Sequence, residues 1–230
     1  MGSTRAPAAE SLTNVEALKQ AAAQAAADLV LDGQKVGLGT GTTVAHLLPA
    51  LAARRLDIRC VATSPATEQA ARALGLEMAE LDELAPLDIA IDGADQIDPD
   101  GWLVKGGGGA HTREKIVAVA ASRFVAVASA EKAVPELGPP IPLELLRFGA
   151  HTTLAALGQA RLRDAAPSPE GNLIADYFGP VEDPRALAAR LSATPGVVGH
   201  GLFAPELVDD ILIARTGGVE HRIVGRGDGR

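Results

Sequence analysis

The chain has 230 residues, and 47% of them are hydrophobic, which is enough to bury the core of one large domain or two small ones. It carries 29 acidic and 21 basic side chains, a formal net charge of −8. This balance is the reverse of the basic surface that a nucleic-acid-binding protein needs, so no nucleic-acid partner is expected. A small anionic ligand is compatible with it, because a few lysines and backbone N–H groups can form a local positive site.

The cysteine content and the chain start bear on the cellular setting. Cys60 is the only cysteine, which excludes an internal disulfide and a thiolate zinc site. Residues 1–13 lack a basic segment followed by an apolar one, and no stretch approaches the ~18 uninterrupted apolar residues of a membrane span. We therefore expect a cytoplasmic protein without membrane contact. Residues 1–12 are expected to form a flexible tail.

The first half of the chain alternates predicted helices and strands. Residues 15–31 lack Gly and Pro and favour a helix that ends at Asp32-Gly33. A strand over Lys35–Leu38 then leads into a glycine-rich loop, residues 37–43. This alternation predicts a Rossmann-like α/β domain with a parallel sheet. Further helices are predicted at residues 44–54, 67–74 and 113–122, and further strands at residues 58–63, 87–91, 103–104 and 124–128.

A stiff connector, Gly138-Pro-Pro-Ile-Pro142, predicts a domain boundary near residue 140. We expect the Rossmann-like domain to comprise residues 13–140 and 208–230, with a smaller α+β domain, residues 141–207, inserted into it. A last strand, residues 210–216, is expected to return to the first sheet. Within the insertion, helices are predicted at residues 143–157 and 184–193, and strands at residues 160–163, 173–177 and 197–203.

Polar residues follow five of the predicted strands. Ligands of an open parallel sheet bind outside the carboxyl ends of its strands, so these residues are expected to share one edge. Two of the chain's five lysines lie there. This convergence is the main functional signal. The residues are Gly39 to Thr43, Thr63-Ser64, Asp92 to Asp95, Lys105 to Gly109, and Ser129 with Lys132.

The first glycine-rich loop fits neither of the two common nucleotide-binding motifs. The third glycine of a dinucleotide fingerprint is replaced by Thr42 or Val44, depending on the starting glycine, and the lysine of a Walker loop is absent. Three hydroxyls, on Thr40, Thr42 and Thr43, precede or open a predicted helix, an arrangement that suits a phosphate monoester. Alternatively, the glycines form a tight turn and Thr42 or Thr43 caps the helix.

Asp92 and Asp95 follow a predicted buried strand. Two carboxylates placed this way could contact the hydroxyls of a sugar or raise each other's pKa. The alternative is an ordinary Asp-Gly turn with a capping role. Asp98, Asp100 and Gly101 are interpreted as turn residues, and Trp102 as a packing residue.

Four consecutive glycines, Gly106 to Gly109, join Lys105 to the next predicted helix. Such a run is often a flexible linker, but a linker has no reason to interrupt a compact strand–helix unit. Glycines here would let the backbone approach a ligand closely. Glu114 lies in the first turn of that helix, where it either complements the helix dipole or acts as a general base. Arg113 and Lys115 beside it are expected to be solvated.

The five histidines show no metal-ligand spacing, so no metal site is expected. His111 lies near the glycine run and could contact a substrate, but the simpler interpretation is a surface histidine.

Three segments together resemble ribose-5-phosphate isomerase of the A type. They are Gly39-Thr-Gly-Thr-Thr43, Asp92-Gly-Ala-Asp95 and Lys105-Gly-Gly-Gly-Gly-Ala-His-Thr-Arg-Glu-Lys-Ile-Val117. The resemblance runs from about Leu18 to Gly218. It implies interconversion of D-ribose 5-phosphate and D-ribulose 5-phosphate through an enediolate, in the non-oxidative pentose phosphate pathway. It also implies that no cofactor is used and that the protein is a homodimer or homotetramer.

The resemblance also implies roles for individual residues. Glu114 corresponds to the family's proton acceptor. The positions that correspond to substrate-binding residues are Thr40, Gly41, Thr42, Thr43, Asp92, Gly93, Ala94, Asp95, Lys105, Gly106, Gly107, Gly108 and Lys132.

Two alternatives to the isomerase function remain. One is a related sugar-phosphate enzyme, such as an amino-sugar phosphate deaminase or a phosphogluconolactonase, and the other is a non-enzymatic sugar-phosphate sensor.

Overall fold

The computed structural model describes the backbone of residues 7–225 and the side chains of residues 14–225. Its helices are α1 (Pro7–Ala27), α2 (Thr42–Arg54), α3 (Pro65–Ala73), α4 (Leu81–Leu84), α5 (His111–Ala120), α6 (Ala150–Leu157) and α7 (Pro184–Ala193). Its strands are β1 (Lys35–Leu38), β2 (Arg59–Ala62), β3 (Glu77–Met78), β4 (Leu87–Gly93), β5 (Gln96–Ile97), β6 (Leu103–Val104), β7 (Ala121–Ser129), β8 (Ile141–Leu145), β9 (Ala160–Leu162), β10 (Leu173–Tyr177), β11 (Val197–His200), β12 (Leu202–Phe203), β13 (Asp210–Arg215) and β14 (Gly218–Ile223).

The central sheet has the strand order β14-β13-β7-β4-β1-β2-β3 within the described residues. All neighbouring strands pair in parallel except β13 and β14, which pair antiparallel at one edge. The predicted α/β class is therefore confirmed, as is the return of the 210–216 strand to this sheet. The strand order reverses between β1 and β4, and a crevice at such a reversal is where open parallel sheets bind their ligands.

The two faces of the sheet are buried by different helices. On β7, the side chains of Val125 and Val127 pack in one cluster with α1 and α2. The alternating residues, Phe124 and Ala126, pack in a second cluster with α5. Because successive side chains of a strand point to opposite faces of the sheet, a strand that is buried on both faces has an uninterrupted apolar sequence.

A second, antiparallel sheet has the order β11-β8-β10-β9. The single helix predicted over residues 143–157 is wrong, because β8 occupies Ile141–Leu145 and α6 begins only at Ala150, after Gly149 in a left-handed conformation (φ 72°). The leucines of β8 favour a helix locally. The whole strand is nevertheless buried between β10 and β11, and this tertiary pairing overrides local propensity.

The single strand predicted over residues 197–203 is also corrected. It is two strands, because β11 pairs with β8 while β12 pairs with β6 in a small third sheet. The chain passes from one to the other at Gly201, which donates to the Pro142 carbonyl at 2.7 Å and accepts from the Lys105 N–H at 2.8 Å. A Cβ at Gly201 would lie 2.1 Å from the Lys105 carbonyl oxygen, so only glycine allows this approach.

The chain ends and the short elements differ from the sequence predictions as well. Helix α1 includes residues 7–12, which were expected in the tail, while residues 1–6 lie outside the described residues. Four elements, β3, α4, β5 and β14, were not predicted. Within residues 7–225, no helix combines the length and apolar character needed to cross a bilayer.

Candidate active site

The carboxyl ends of the central strands surround a pocket of about 180 Å³. The loop after β1, the end of β4, the glycine run after β6 and the turn after β7 all contribute to it, together with α1 and the first turn of α5. Every predicted site residue except Asp92 lines this pocket. The lining residues are Lys19, Thr40, Gly41, Thr42, Thr43, Gly93, Ala94, Asp95, Lys105, Gly106, Gly107, Gly108, Glu114, Glu131 and Lys132.

One end of the pocket is formed by the N-terminus of α2 and by two lysines. Helix α2 begins at Thr42 after Gly41 (φ 112°), and no side chain of the described residues caps it. The proposed capping role of Thr42 or Thr43 is therefore not seen, and the first-turn N–H groups border the pocket. Lys19 and Lys132 add two ammonium groups to this rim. Such an end is suited to a phosphate.

Asp92 lies beneath the loop that follows β1. Its Oδ1 accepts hydrogen bonds from the N–H groups of Thr40 at 3.1 Å and Gly93 at 2.7 Å. A Cβ at Gly39 would lie 1.9 Å from the Asp92 Cγ, so the glycine lets the loop pass directly over this carboxylate. Asp92 thus fixes the backbone of the loop from below rather than facing the pocket.

The opposite end of the pocket holds a buried charge cluster. The Lys105 Nζ lies 2.9 Å from the Asp92 Oδ2 and 3.2 Å from the Glu114 Oε2. The side chain of Lys105 is 3% exposed, and those of its partners are 4% and 3% exposed. Two carboxylates therefore share one ammonium group in a site nearly closed to water.

Burial and the shared lysine set the protonation of this cluster. Burial raises the pKa of Glu114 to about 8, the charge of Asp92 adds to this effect, and Lys105 opposes it. Burial likewise raises the pKa of Asp92 against the opposing charge of Lys105. Burial alone lowers the pKa of Lys105, but the two carboxylates outweigh it and hold that pKa above its ordinary value. Glu114 is thus a carboxyl group that can exchange a proton near neutral pH.

The glycine run after Lys105 is a fixed loop rather than a linker. The Gly107 N–H donates to the Asp95 Oδ2 at 2.8 Å. Gly106 has a φ of +108°, and a Cβ there would lie 2.7 Å from the His111 Nδ1. The loop therefore depends on glycine both for its conformation and for its close packing.

Two expectations for neighbours of Glu114 are wrong. His111 is fully buried, and burial lowers its pKa to about 4. Lys115 is not solvated: its Nζ donates to the His200 carbonyl at 2.8 Å and lies 4.9 Å from the centre of the Phe203 ring, and burial lowers its pKa to about 7. Both errors arise because α5 packs between the central sheet and the antiparallel sheet. Arg113 is partly exposed and pairs with Glu170.

Two residues of the pocket, Lys19 and Glu131, were not among the predicted site residues. Glu131 adjoins Lys132, and its carboxylate accepts from the Ser129 hydroxyl at 2.6 Å. Lys19 lies in a helix far from every motif, and the scarcity of lysine in this chain was the one signal that could have marked it. Among residues 7–225, the His, Cys, Asp and Glu side chains form no group of three that could hold a metal ion.

The arrangement suits proton transfer next to a carbonyl group in an anionic sugar. A carboxyl group with a near-neutral pKa can take a proton from carbon, and an adjacent ammonium group can stabilise the oxygen that becomes negative. The lysines and helix terminus at the other end of the pocket can bind a phosphate. Together these ends define a ligand with a phosphate at one terminus and a carbonyl group at the other.

Comparisons with known proteins agree with this interpretation of the pocket. A family model described as ribose 5-phosphate isomerase A (phosphoriboisomerase A) matches residues 59–218. The ribose-5-phosphate isomerase A of Caulobacter vibrioides is 48% identical over 217 residues, covering 87% of this chain and 95% of that protein. The solved structure of ribose 5-phosphate isomerase A from Methanocaldococcus jannaschii has a TM-score of 0.86 at 34% identity, covering 90% of this chain and 99% of that one.

A further solved structure is a D-ribose-5-phosphate isomerase in complex with phospho-erythronic acid. It has a TM-score of 0.87 and 31% identity, and the match covers 91% of this chain and 99% of that one. Sequence and structure thus point to the same group of proteins over almost the full length. The chain belongs to the ribose-5-phosphate isomerase A family.

Proposed function

We propose that this protein interconverts D-ribose 5-phosphate and D-ribulose 5-phosphate, a step of the non-oxidative pentose phosphate pathway. The observation that carries the proposal is the 3.2 Å contact between the Glu114 carboxylate and the Lys105 ammonium group at one end of the pocket. A base and an oxyanion-stabilising cation are the two groups that an enediolate mechanism requires. The phospho-erythronic acid bound by a relative carries a phosphate and a carboxylate, which correspond to the two ends of this pocket.

In the aldose-to-ketose direction, the Glu114 carboxylate takes the proton from C2 of the open-chain sugar. The C–H electron pair forms the double bond between C1 and C2, and the carbonyl oxygen on C1 becomes negative. Lys105 and N–H groups of the glycine loop stabilise that oxygen. Glu114 then returns the proton to C1, and the hydroxyl proton on O2 moves to O1. No electron leaves the substrate, so the step needs no external oxidant.

The other end of the pocket binds the phosphate in this proposal. The first-turn N–H groups of α2 and the hydroxyls of Thr42 and Thr43 donate to its oxygens, and Lys19 and Lys132 neutralise its charge. Asp95 also lines the pocket, where it can contact sugar hydroxyls and assist ring opening. Asp92 does not line the pocket, and it holds Lys105 and the loop in place.

A direct assay tests the proposed function. Purified protein is incubated with ribose 5-phosphate, and ketose formation is followed. Parallel incubations use glucosamine 6-phosphate and 6-phosphogluconolactone, the substrates of the related sugar-phosphate enzymes. Ketose formation from ribose 5-phosphate alone supports the proposal. Turnover of another substrate only, or binding without turnover, contradicts it.

Asp92→Asn is expected to move the acid limb of the pH profile of kcat/KM to lower pH. Glu114 must be ionised to accept a proton, so the rate rises with pH through its pKa. The charge of Asp92 raises that pKa, and asparagine removes the charge while keeping an oxygen for the Thr40 and Gly93 N–H groups. Asp88→Asn, an exposed site at the other end of β4, serves as the control. An unmoved limb, or one at higher pH, contradicts the expected result.

Lys132→Ala is expected to weaken binding of a phosphorylated sugar far more than binding of its non-phosphorylated analogue. Loss of one charge-assisted contact costs about 1.5–3 kcal/mol, which corresponds to roughly a 10- to 150-fold weaker affinity. Titration calorimetry with ribitol 5-phosphate and with ribitol measures the two affinities. Lys35→Ala, at the opposite end of β1, is the control. Equal losses for the two ligands argue against a phosphate contact.

The assembly and domain division form a further part of the proposal. The antiparallel sheet and its helices support a small inserted α+β domain over residues 141–207, with residues 13–140 and 208–230 as the Rossmann-like domain. The exposed apolar side chains of Ile116, Val119 and Val198 support assembly into a homodimer or homotetramer. Sedimentation velocity measures the oligomeric state. A cytoplasmic location agrees with the single cysteine, which is buried.

A further inference from the structure

The glycine loop of the pocket is held from outside by an arginine of the antiparallel sheet. Arg163 directly follows β9, and its Nη1 donates to the carbonyl oxygens of Gly106 and Gly107, both at 3.0 Å. No sequence motif singles out Arg163, and it does not line the pocket. Arg163 therefore acts on the loop rather than on a ligand in the pocket.

The Arg163 guanidinium is itself fixed in position. Its Nε and Nη2 donate to the two carboxylate oxygens of Asp176 on β10, at 2.8 and 2.5 Å. The side chains of Arg163 and Asp176 are 21% and 13% exposed. A paired, bidentate guanidinium in a largely buried setting is a rigid support, because the fork geometry fixes both its position and its plane. The loop is therefore anchored to the antiparallel sheet by one charged side chain.

This anchor determines where the loop N–H groups point. In a trans peptide, the C=O and N–H groups point in opposite directions. The Gly106 carbonyl points to Arg163, and the N–H of the same peptide, that of Gly107, points away to Asp95. The Gly107 carbonyl also points to Arg163, so the Gly108 N–H points away from Arg163, and Gly108 lines the pocket.

We infer that Arg163 is a positioning residue for the isomerisation, which directs the Gly108 N–H at the substrate oxygen that becomes negative in the enediolate. The positive charge of the guanidinium, which lies against both carbonyl oxygens, also polarises the two peptide groups and makes their N–H groups stronger donors. The inference rests on the proposed isomerase function. A donor held in place by its surroundings costs no reorganisation as the charge develops, so its effect falls on the transition state.

The test compares Arg163→Met and Arg163→Lys with Arg161→Met. Arg161 lies two residues earlier on β9, where its guanidinium packs on the Phe178 ring, and it serves as the control. Complete removal of an oxyanion donor lowers kcat by about 10²–10³-fold. In Arg163→Met the Gly108 N–H is still present but no longer held in position, so kcat should fall by less, on the order of 10-fold. KM for ribose 5-phosphate should change by less than about 3-fold, because this loss falls on the transition state. Arg163→Lys should recover part of kcat, since it keeps a charge but not the fork.

A second readout separates positioning from a merely structural role. Phospho-erythronic acid presents a negative carboxylate where the enediolate charge would form, whereas erythritol 4-phosphate presents a neutral hydroxyl. Arg163→Met should weaken binding of the acid by several-fold more than binding of the alcohol. Asp176→Asn loosens Arg163 without removing it. It should change kcat and the difference in binding between acid and alcohol in the same direction as Arg163→Met, but by less.

The outcomes distinguish this inference from the function on which it rests. If the unaltered protein does not isomerise ribose 5-phosphate, the proposed function fails first. If it does, and Arg163→Met and Arg163→Lys both match Arg161→Met in kcat, the inference is overturned. Equal weakening of the acid and the alcohol also overturns it. If Arg163→Met does not fold, as thermal unfolding would show, Arg163→Lys and Asp176→Asn decide the question by the same criteria.

Discussion

Glu114→Gln should reduce isomerase turnover by roughly 10²- to 10⁴-fold, the usual contribution of a general base. Glutamine keeps the shape of the side chain but cannot take the proton from C2. The variant should still bind ribose 5-phosphate, and it should stop exchanging the C2 proton with deuterated solvent. Steady-state kinetics and proton NMR in deuterium oxide measure these two effects.

The alternative role of Glu114 makes a different prediction. If the carboxylate only complements the dipole of α5, the free energy of unfolding should fall by at most ~1 kcal/mol and turnover should hardly change. Glu170→Gln is a suitable control, because it removes an exposed carboxylate that pairs with Arg113 of the same helix. A folded Glu114→Gln protein that binds substrate and isomerises it at near-normal rate would exclude Glu114 as the base.

Lys105→Met should lower kcat by roughly 10²- to 10³-fold, because it removes the cation that faces the enediolate oxygen. KM should change much less, since that negative charge exists only near the transition state. The change also leaves Asp92 and Glu114 buried together without their shared cation. Breaking a buried ion pair in this way costs about 3–5 kcal/mol of stability. Kinetics and denaturant unfolding measure the two losses separately.

The double variant Lys105→Met, Asp92→Asn separates catalysis from stability. The asparagine removes one of the two buried charges that the methionine leaves unpaired, so much of the lost stability should return. Activity should not return, because the double variant still lacks the ammonium group. Recovery of kcat together with stability would show that Lys105 acts only by holding the site together, and a rise in KM with unchanged kcat would assign it to ground-state binding.

The sequence by itself determined the five inner strands of the central sheet and most of the pocket, but not the edge strands β3 and β14. Buried parallel strands are continuous apolar runs, and the polar residues that follow them are adjacent in the chain, so both can be recognised from local pattern. Glu114 and the glycine run were found this way, and so was Lys132. The motifs around them also carried the family resemblance, which the comparisons confirm.

Contacts between distant segments were decided only by the tertiary structure. Residues 143–145 were predicted to be helical but lie in strand β8, because β10 and β11 pair with that strand on both sides. Lys19 enters the pocket only because α1 packs against the central sheet, and His111 is buried only because the antiparallel sheet covers α5. The raised pKa of Glu114 has the same origin, since burial and the charge of Asp92 both depend on packing rather than on neighbours in the chain. Arg163 is 57 and 56 residues away in the chain from the two glycines that it contacts, and it reaches their loop for the same reason.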